Sequence, residues 1–146
     1  MHDHLTEMEC AYIAGIVDGE GSIWSSQPRN NSRPLVLCVA MIHRPTIEWL
    51  YSICGGRIEI RKSNQPNARQ SWAWWLTGVR TASLLRRIVD YMVTKREEAE
   101  VALTLASTMW NNNVRGKVTE ETLALRQKLG QELRDLKKRE WKACLE

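Results

Sequence analysis

Apolar positions along this chain recur with two different periods, and the period switches at short clusters of Gly, Pro, Asn and Ser. Thr6 followed by Glu9 makes a capping box, which predicts a helix over residues 7–18. Gly19 and Gly21 are expected to end it in a left-handed turn. Residues 22–27 read as a short strand, followed by a loop over 28–34. The apolar run 35–42 has strand length and suits the middle of a sheet. Pro45 and Thr46 open a short helix that stops at Gly55-Gly56.

The pattern then repeats. Over 57–62, Arg57, Glu59 and Arg61 alternate with Ile58 and Ile60. A polar loop over 63–69 precedes a second alternating strand, 71–77, with Trp72, Trp74 and Leu76 on its apolar side. Thr81 is expected to cap a helix running to about residue 91, and an apolar helix follows over 95–110. Asn111-Asn112-Asn113 marks a loop. Thr119, with Glu120 and Glu121 in the first turn, starts a last helix bearing Leu125, Leu129, Leu133 and Leu136.

The order is helix, two strands, helix, two strands, helices. It predicts an α+β fold, an αββαββα core with one four-stranded antiparallel sheet covered on its apolar face by helices, plus C-terminal helices. The length of 146 residues fits one domain: a core over 1–110 and a C-terminal helical extension of the same domain over 111–146. No run of 18 apolar residues occurs, so no membrane partner is expected. Met1-His2-Asp3-His4 lacks the basic start and apolar core of a secretory signal, and His2 and His4 read as a frayed end. Cys10, Cys38, Cys54 and Cys144 form no CxxC pair and read as reduced core residues.

Charge changes the picture more than composition does. Residues 1–20 hold five acids and no Lys or Arg, a local charge of −5. Residues 21–96 hold twelve Lys or Arg against three acids, a local charge of +9. The remainder is balanced, leaving the whole chain at +4. A basic block beside an acidic helix suits a polyanion surface with a separate acidic site, or else a solvated basic face. Arg57, Glu59 and Arg61 would project together from one strand at intervals of roughly 7 Å. Such a ribbon can enter a major groove, where Arg reads guanine and Glu accepts from cytosine; a solvated sheet face fits equally. Trp49, Trp72, Trp74 and Trp110 read as core, whereas Trp24 and Trp75 alternate onto the other sheet face with Ser22, Ser26, Ser71 and Thr77. Lys137, Lys138, Arg139 and Lys142 are either backbone contacts or a solvated helix face.

Ala11, Ala14 and Gly15 leave one face of the first helix almost without side chains. That face suits either a close helix–helix approach between two copies or a close helix–sheet contact within one. Glu20 stands at the end of the same helix, where the dipole and the last carbonyls are already negative. A carboxylate there is electrostatically misplaced unless a cation joins it.

Residues 13–21 read Ile-Ala-Gly-Ile-Val-Asp-Gly-Glu-Gly, and this segment resembles the LAGLIDADG motif of homing endonucleases position by position. Ser22-Ile23, the order of elements, Gly55-Gly56 before the third strand and Tyr91-Met92-Val93-Thr94-Lys95-Arg96-Glu97 extend the resemblance over roughly residues 6–110. With one motif copy, the resemblance implies a homodimer whose central helices meet through Ala11, Ala14, Gly15 and Asp18. It implies Mg²⁺ held by Glu20 with the Gly19 carbonyl beside it, and Lys95 near a scissile phosphate. His43 would be the further polar residue that positions water, with Arg44 the alternative across that turn.

The implied partner is double-stranded DNA, cut on both strands at a long, nearly palindromic site. Trp24, Ser26, Arg29, Arg33, Arg57, Glu59, Arg61, Lys62, Arg69 and Trp75 are the expected contacts. A maturase that binds intron RNA, or a DNA-binding regulator with a decayed nuclease site, are the rival expectations. The setting implied is the cytoplasm of a bacterial or phage host, or an organellar matrix or stroma.

Overall fold

Thr6 accepts a hydrogen bond from the Glu9 amide at 3.2 Å while the Glu9 carboxylate accepts from the Thr6 amide at 2.8 Å, so the capping box starts helix α1 (Glu7–Glu20) as expected. The computed structural model describes residues 1–25, 34–110 and 118–139. The expected Ser26, Arg29 and Arg33 contacts, the 28–33 part of the first loop, Asn111-Asn112-Asn113, Lys142 and Cys144 lie outside the described residues.

The end of α1 departs from expectation. The helix runs through Gly19 to Glu20, and Gly21 is extended (φ −86°, ψ 160°), not left-handed. Glycine is needed there for a different reason: a Cβ on Gly21 would lie 2.6 Å from the Val17 carbonyl oxygen. The chain therefore passes straight from helix into strand β1 (Gly21–Ser25). Strand β2 (Leu35–Met41) follows, then helix α2 (Arg44–Cys54), strand β3 (Arg57–Arg61) and strand β4 (Ser71–Thr77).

The sheet order is β1-β2-β4-β3, antiparallel throughout. The apolar run of β2 occupies a central position, as its composition requires. Leu35, Leu37, Val39, Trp74 and Leu76 face the helices and join Ile13, Val17, Ile47 and Leu50 in one core. Gly55 and Gly56 turn the chain into β3 with φ of 71° and 95°. The Trp74 indole N–H donates to the Gly55 carbonyl at 2.7 Å, fastening that turn to the sheet. Ile60 faces the helix side but is exposed, because β3 is an edge strand.

Helix α3 (Val79–Ile88) begins two residues before Thr81, which is buried inside it and caps nothing. A 3₁₀ turn (Val89–Tyr91) leads to α4 (Arg96–Trp110), and α5 (Glu120–Leu136) packs against α4 and β1. Leu129 and Leu133 of α5 belong to the common core, but Leu125 is 43% exposed while Arg126 is 7% exposed. The guanidinium of Arg126 donates to the Thr108 carbonyl at 2.6 Å, so Arg126 takes the inner position expected for Leu125. The N-terminal segment is not frayed either. His2 is 2% exposed, donating from Nε2 to the Cys54 carbonyl and sharing a 3.1 Å hydrogen bond with the Ser83 hydroxyl.

Cys10, Cys38 and Cys54 are buried free thiols, as expected. Burial, with Cys10 and Glu9 adding to it, pushes the Cys54 thiol up to about 12. These are inert core groups, not nucleophiles. No described helix is long and apolar enough to cross a membrane.

Candidate functional site

Strand register assembles the sheet face left open by the helices. One row across it runs Ser22, Cys38, Trp75 and Arg57, and the next residues on the same face include Trp24, Glu59 and Arg61. Trp24 and Trp75 meet edge to face with centroids 5.6 Å apart. The Arg57 guanidinium lies 5.2 Å from the Trp75 ring centroid and pairs with Glu59 at 2.8 Å. This aromatic cover is why Val36 and Cys38, on the open face of β2, are buried. Lys62 and Arg69 are exposed at the ends of the segment joining β3 to β4. Five of the expected contacts, Trp24, Arg57, Glu59, Arg61 and Trp75, thus share one face with Ser22 and Ser71.

The chemical residues gather at one end of that face. Gly21 pairs with Val39, so Glu20 sits at the edge toward which β2 continues to His43. Glu20 is exposed at the last position of α1, and a Cβ on the neighbouring Gly19 would meet nothing within 4 Å. His43 is exposed at the N-cap of α2, with Nδ1 2.7 Å from the Thr46 hydroxyl. Arg44 is held by Glu48 at 2.7 Å and lies 5.9 Å from the Trp72 ring centroid. Its guanidinium is engaged on its own helix.

Lys95 arrives from the other end of the chain. Its Nζ donates to the Val17 carbonyl at 3.1 Å and to the Asp18 carbonyl, answering the negative end of α1. Asp18 makes this possible. Its carboxylate accepts from the backbone N–H groups of Val93 at 2.7 Å, Thr94 at 3.2 Å and Lys95 at 2.9 Å. That carboxylate, expected at a helix–helix interface, is spent within its own chain on holding the turn before α4. Ala14 also leaves the expected interface: it is fully buried with Cys10, Ile13 and Val17 on the core face of α1. The exposed stripe is instead Met8, Ala11, Tyr12, Gly15 and Gly19, with Met8 82% and Tyr12 58% exposed.

A cavity of about 340 Å³ adjoins Lys95, lined in part by Ser22, Thr94, Glu98, Lys137 and Arg139. Lys137 reaches over the Trp24 ring at 5.3 Å. Burial, aided by Lys95 and opposed by Glu98, lowers its ammonium below the ordinary lysine range. Arg139, expected on a DNA-facing or solvated surface, turns into its own subunit and pairs with buried Glu98 at 3.2 Å. Sequence reasoning missed this pair, and no local spacing could have revealed it.

A divalent ion can be tested against this chemistry. Among the described residues no three His, Cys, Asp or Glu side chains cluster, and one chain brings one exposed carboxylate to the end of α1. A hard cation therefore fits here only if oxygens from outside the chain complete its shell.

No protein-family model and no curated protein matches the sequence. Solved structures do match. The homing endonuclease I-CvuI, bound to its target in the presence of calcium, superposes with a TM-score of 0.72 at 19% identity, covering 95% of this chain and 88% of that one. An archaeal intron-encoded homing endonuclease, I-Vdi141I, complexed with DNA, gives 0.71 at 21%, covering 89% and 84%. The meganuclease I-SmaMI, bound to uncleavable DNA, gives 0.63 at 23%, with 83% of this chain matching 43% of that one. The fold is that of the LAGLIDADG homing endonucleases.

Proposed function

We propose that this chain, built on the LAGLIDADG endonuclease fold, is a site-specific DNA endonuclease. Two identical subunits would cut both strands of a long, nearly palindromic duplex with the help of Mg²⁺. The observation that carries this reading is the convergence of Lys95 on the carbonyls of Val17 and Asp18, three and two residues before Glu20. An acid and a basic residue far apart in sequence are thereby brought to the same end of α1, at the rim of a cation-bearing sheet face. A structural salt link would have joined Lys95 to a carboxylate; here it neutralises helix carbonyls and leaves Glu20 exposed.

Pairing of two chains is supported by two independent facts. This chain matches less than half of I-SmaMI, so that protein has room for a second such unit. The exposed stripe Met8, Ala11, Tyr12, Gly15 and Gly19 gives a second α1 an apolar, close-approach surface. Two Glu20 carboxylates and phosphate oxygens would then supply the donors that one chain lacks. The Gly19 carbonyl, one residue away, is a further candidate ligand. When bound, Mg²⁺ would supply Lewis-acid stabilisation of phosphate charge. Lys95 would add a positive charge beside the phosphate, and His43 a polar group able to orient water. Arg57, Glu59 and Arg61 would face base edges, with Lys62 and Arg69 toward the backbone.

Glu20→Gln tests the reading, since it keeps size and removes charge. With a duplex selected by cleavage from a randomised library, the variant should bind in Ca²⁺ as the wild type does. In Mg²⁺ its cutting rate should fall by about 100-fold or more, in the range typical for losing one electrostatic contact to the transition state. Wild-type cutting by Glu20→Gln would refute the assignment.

A further inference from the structure

The end of α5 reaches the candidate site through Lys137 and, just beyond the helix, through Arg139. Beyond α5, the amide of Lys138 donates to the Asp135 carbonyl at 3.0 Å, and the turn so formed delivers Arg139 to the start of α4. There its guanidinium donates to the Thr94 carbonyl at 3.1 Å, to Glu97 at 3.3 Å and to Glu98 at 3.2 Å. Thr94 is consequently held from both sides: its carbonyl by Arg139, its N–H by the Asp18 carboxylate of α1. The next residue is Lys95, whose own N–H is the third donor to Asp18 and whose ammonium rests on the end of α1.

We propose that Arg139 is a positioning residue for Lys95, so that the C-terminal helix is a working part of the cleavage site; this rests on the nuclease reading above. Asp18 alone fixes the turn by its amides and leaves the Thr94 peptide able to rock about them. The planar fork of Arg139 removes that freedom, because it grips a carbonyl and two carboxylates at once. Glu98 is buried beside Lys95 in the same cavity. Its pairing with Arg139 keeps a negative group in the wall from drawing the Lys95 ammonium away from α1. A displacement of Lys95 by about 1 Å would be enough to cost on the order of 100-fold in rate.

Removing Arg139 alone strands a buried carboxylate and endangers folding, so the informative variant is Glu98→Gln with Arg139→Met. Arg139→Lys, which keeps the charge but not the fork, is measured beside it. Thermal melts should place the double variant within a few degrees of wild type, and its binding to the selected duplex in Ca²⁺ should be unchanged. Its single-turnover cleavage in Mg²⁺ should fall about 10- to 100-fold, with a smaller fall for Arg139→Lys. In a Lys95→Met background the same substitutions should cost nothing further, because their effect passes through Lys95. Hydrogen exchange at the Val93, Thr94 and Lys95 amides should quicken while the sheet amides stay protected. Unchanged exchange there overturns the proposal, as does wild-type cleavage or an undiminished loss in the Lys95→Met background. If the wild type cuts no duplex, the nuclease reading fails by itself, and the exchange measurement still decides whether Arg139 holds the Lys95 turn.

Discussion

His2 shows how much one buried ring can set. The Cys54 carbonyl can only accept, so Nε2 carries the proton and Nδ1 accepts from the Ser83 hydroxyl, a pairing that suits the neutral ring. Burial, the largest cause, lowers its pKa below the ordinary histidine value of 6.5, with the Cys54 carbonyl opposing. The unfolded chain therefore takes up the proton first as pH falls. The His2 contribution is complete above pH 6.5, declines below it, and levels off once pH passes the lower folded-state value. His2→Gln should flatten the loss of thermal stability between pH 7 and 5; parallel curves for variant and wild type would contradict this. Gly56 is the other demanding position. It combines φ of 95° with a Cβ site 2.3 Å from the Trp75 carbonyl oxygen. Gly56→Ala should cost about 3 kcal/mol or more, from left-handed strain and a backbone clash, read as a lowered denaturation midpoint.

At the scale of elements, β3 and the segment after it should divide the work of binding. Arg61 stands on the open face opposite Ser71, in line with Glu59 and Arg57, at a register that the strand pairing holds rigid. Arg69 is exposed outside any strand. Arg61→Ala should cost roughly 1–3 kcal/mol on the preferred duplex and relax discrimination at one base pair per half-site. Arg69→Ala should instead weaken all sequences alike and reduce the slope of log K against log salt by about one unit per phosphate contact. Titrations against single-base variants at several salt concentrations distinguish the two. Uniform weakening by both would leave a basic sheet that does not read bases.

The whole molecule is expected to work as a pair, and Gly15 is the position that isolates this expectation. A Cβ there meets nothing within 4 Å inside the chain, so Gly15→Leu has no internal clash to create. Replacing a helical glycine even favours α1 by up to about 1 kcal/mol. Between two closely approaching α1 helices the same side chain would overpack the contact by several kcal/mol. Light scattering should report twice the 16.9 kDa chain mass for the wild type and a folded monomer for Gly15→Leu. A wild-type monomer that still cuts both strands would refute the paired assembly.

What the sequence determined by itself was local in origin. The Thr6–Glu9 capping box, the apolar run 35–42, the alternation over 57–62 and 71–77 and the glycine pair at 55–56 each act within a few residues, and each appears in the structure to within one residue of its reading. The motif at 13–21 was legible for the same reason, since it marks one helix end and its passage into a strand. Tertiary structure decided everything that depended on a distant partner. Ala14 and Gly15 are both small, yet the sheet buries one and leaves the other exposed. On α5 the leucine spacing holds at Leu129 and Leu133, but Thr108, eighteen positions from Arg126, draws Arg126 inward in place of Leu125. Asp18 and Lys95, 77 positions apart, are joined because the turn before α4 folds onto the end of α1, and Arg139 joins them from 45 positions beyond Thr94. Side-chain charge and size are written in the chain, but which charge is buried beside which carbonyl is fixed only when the helices close over the sheet.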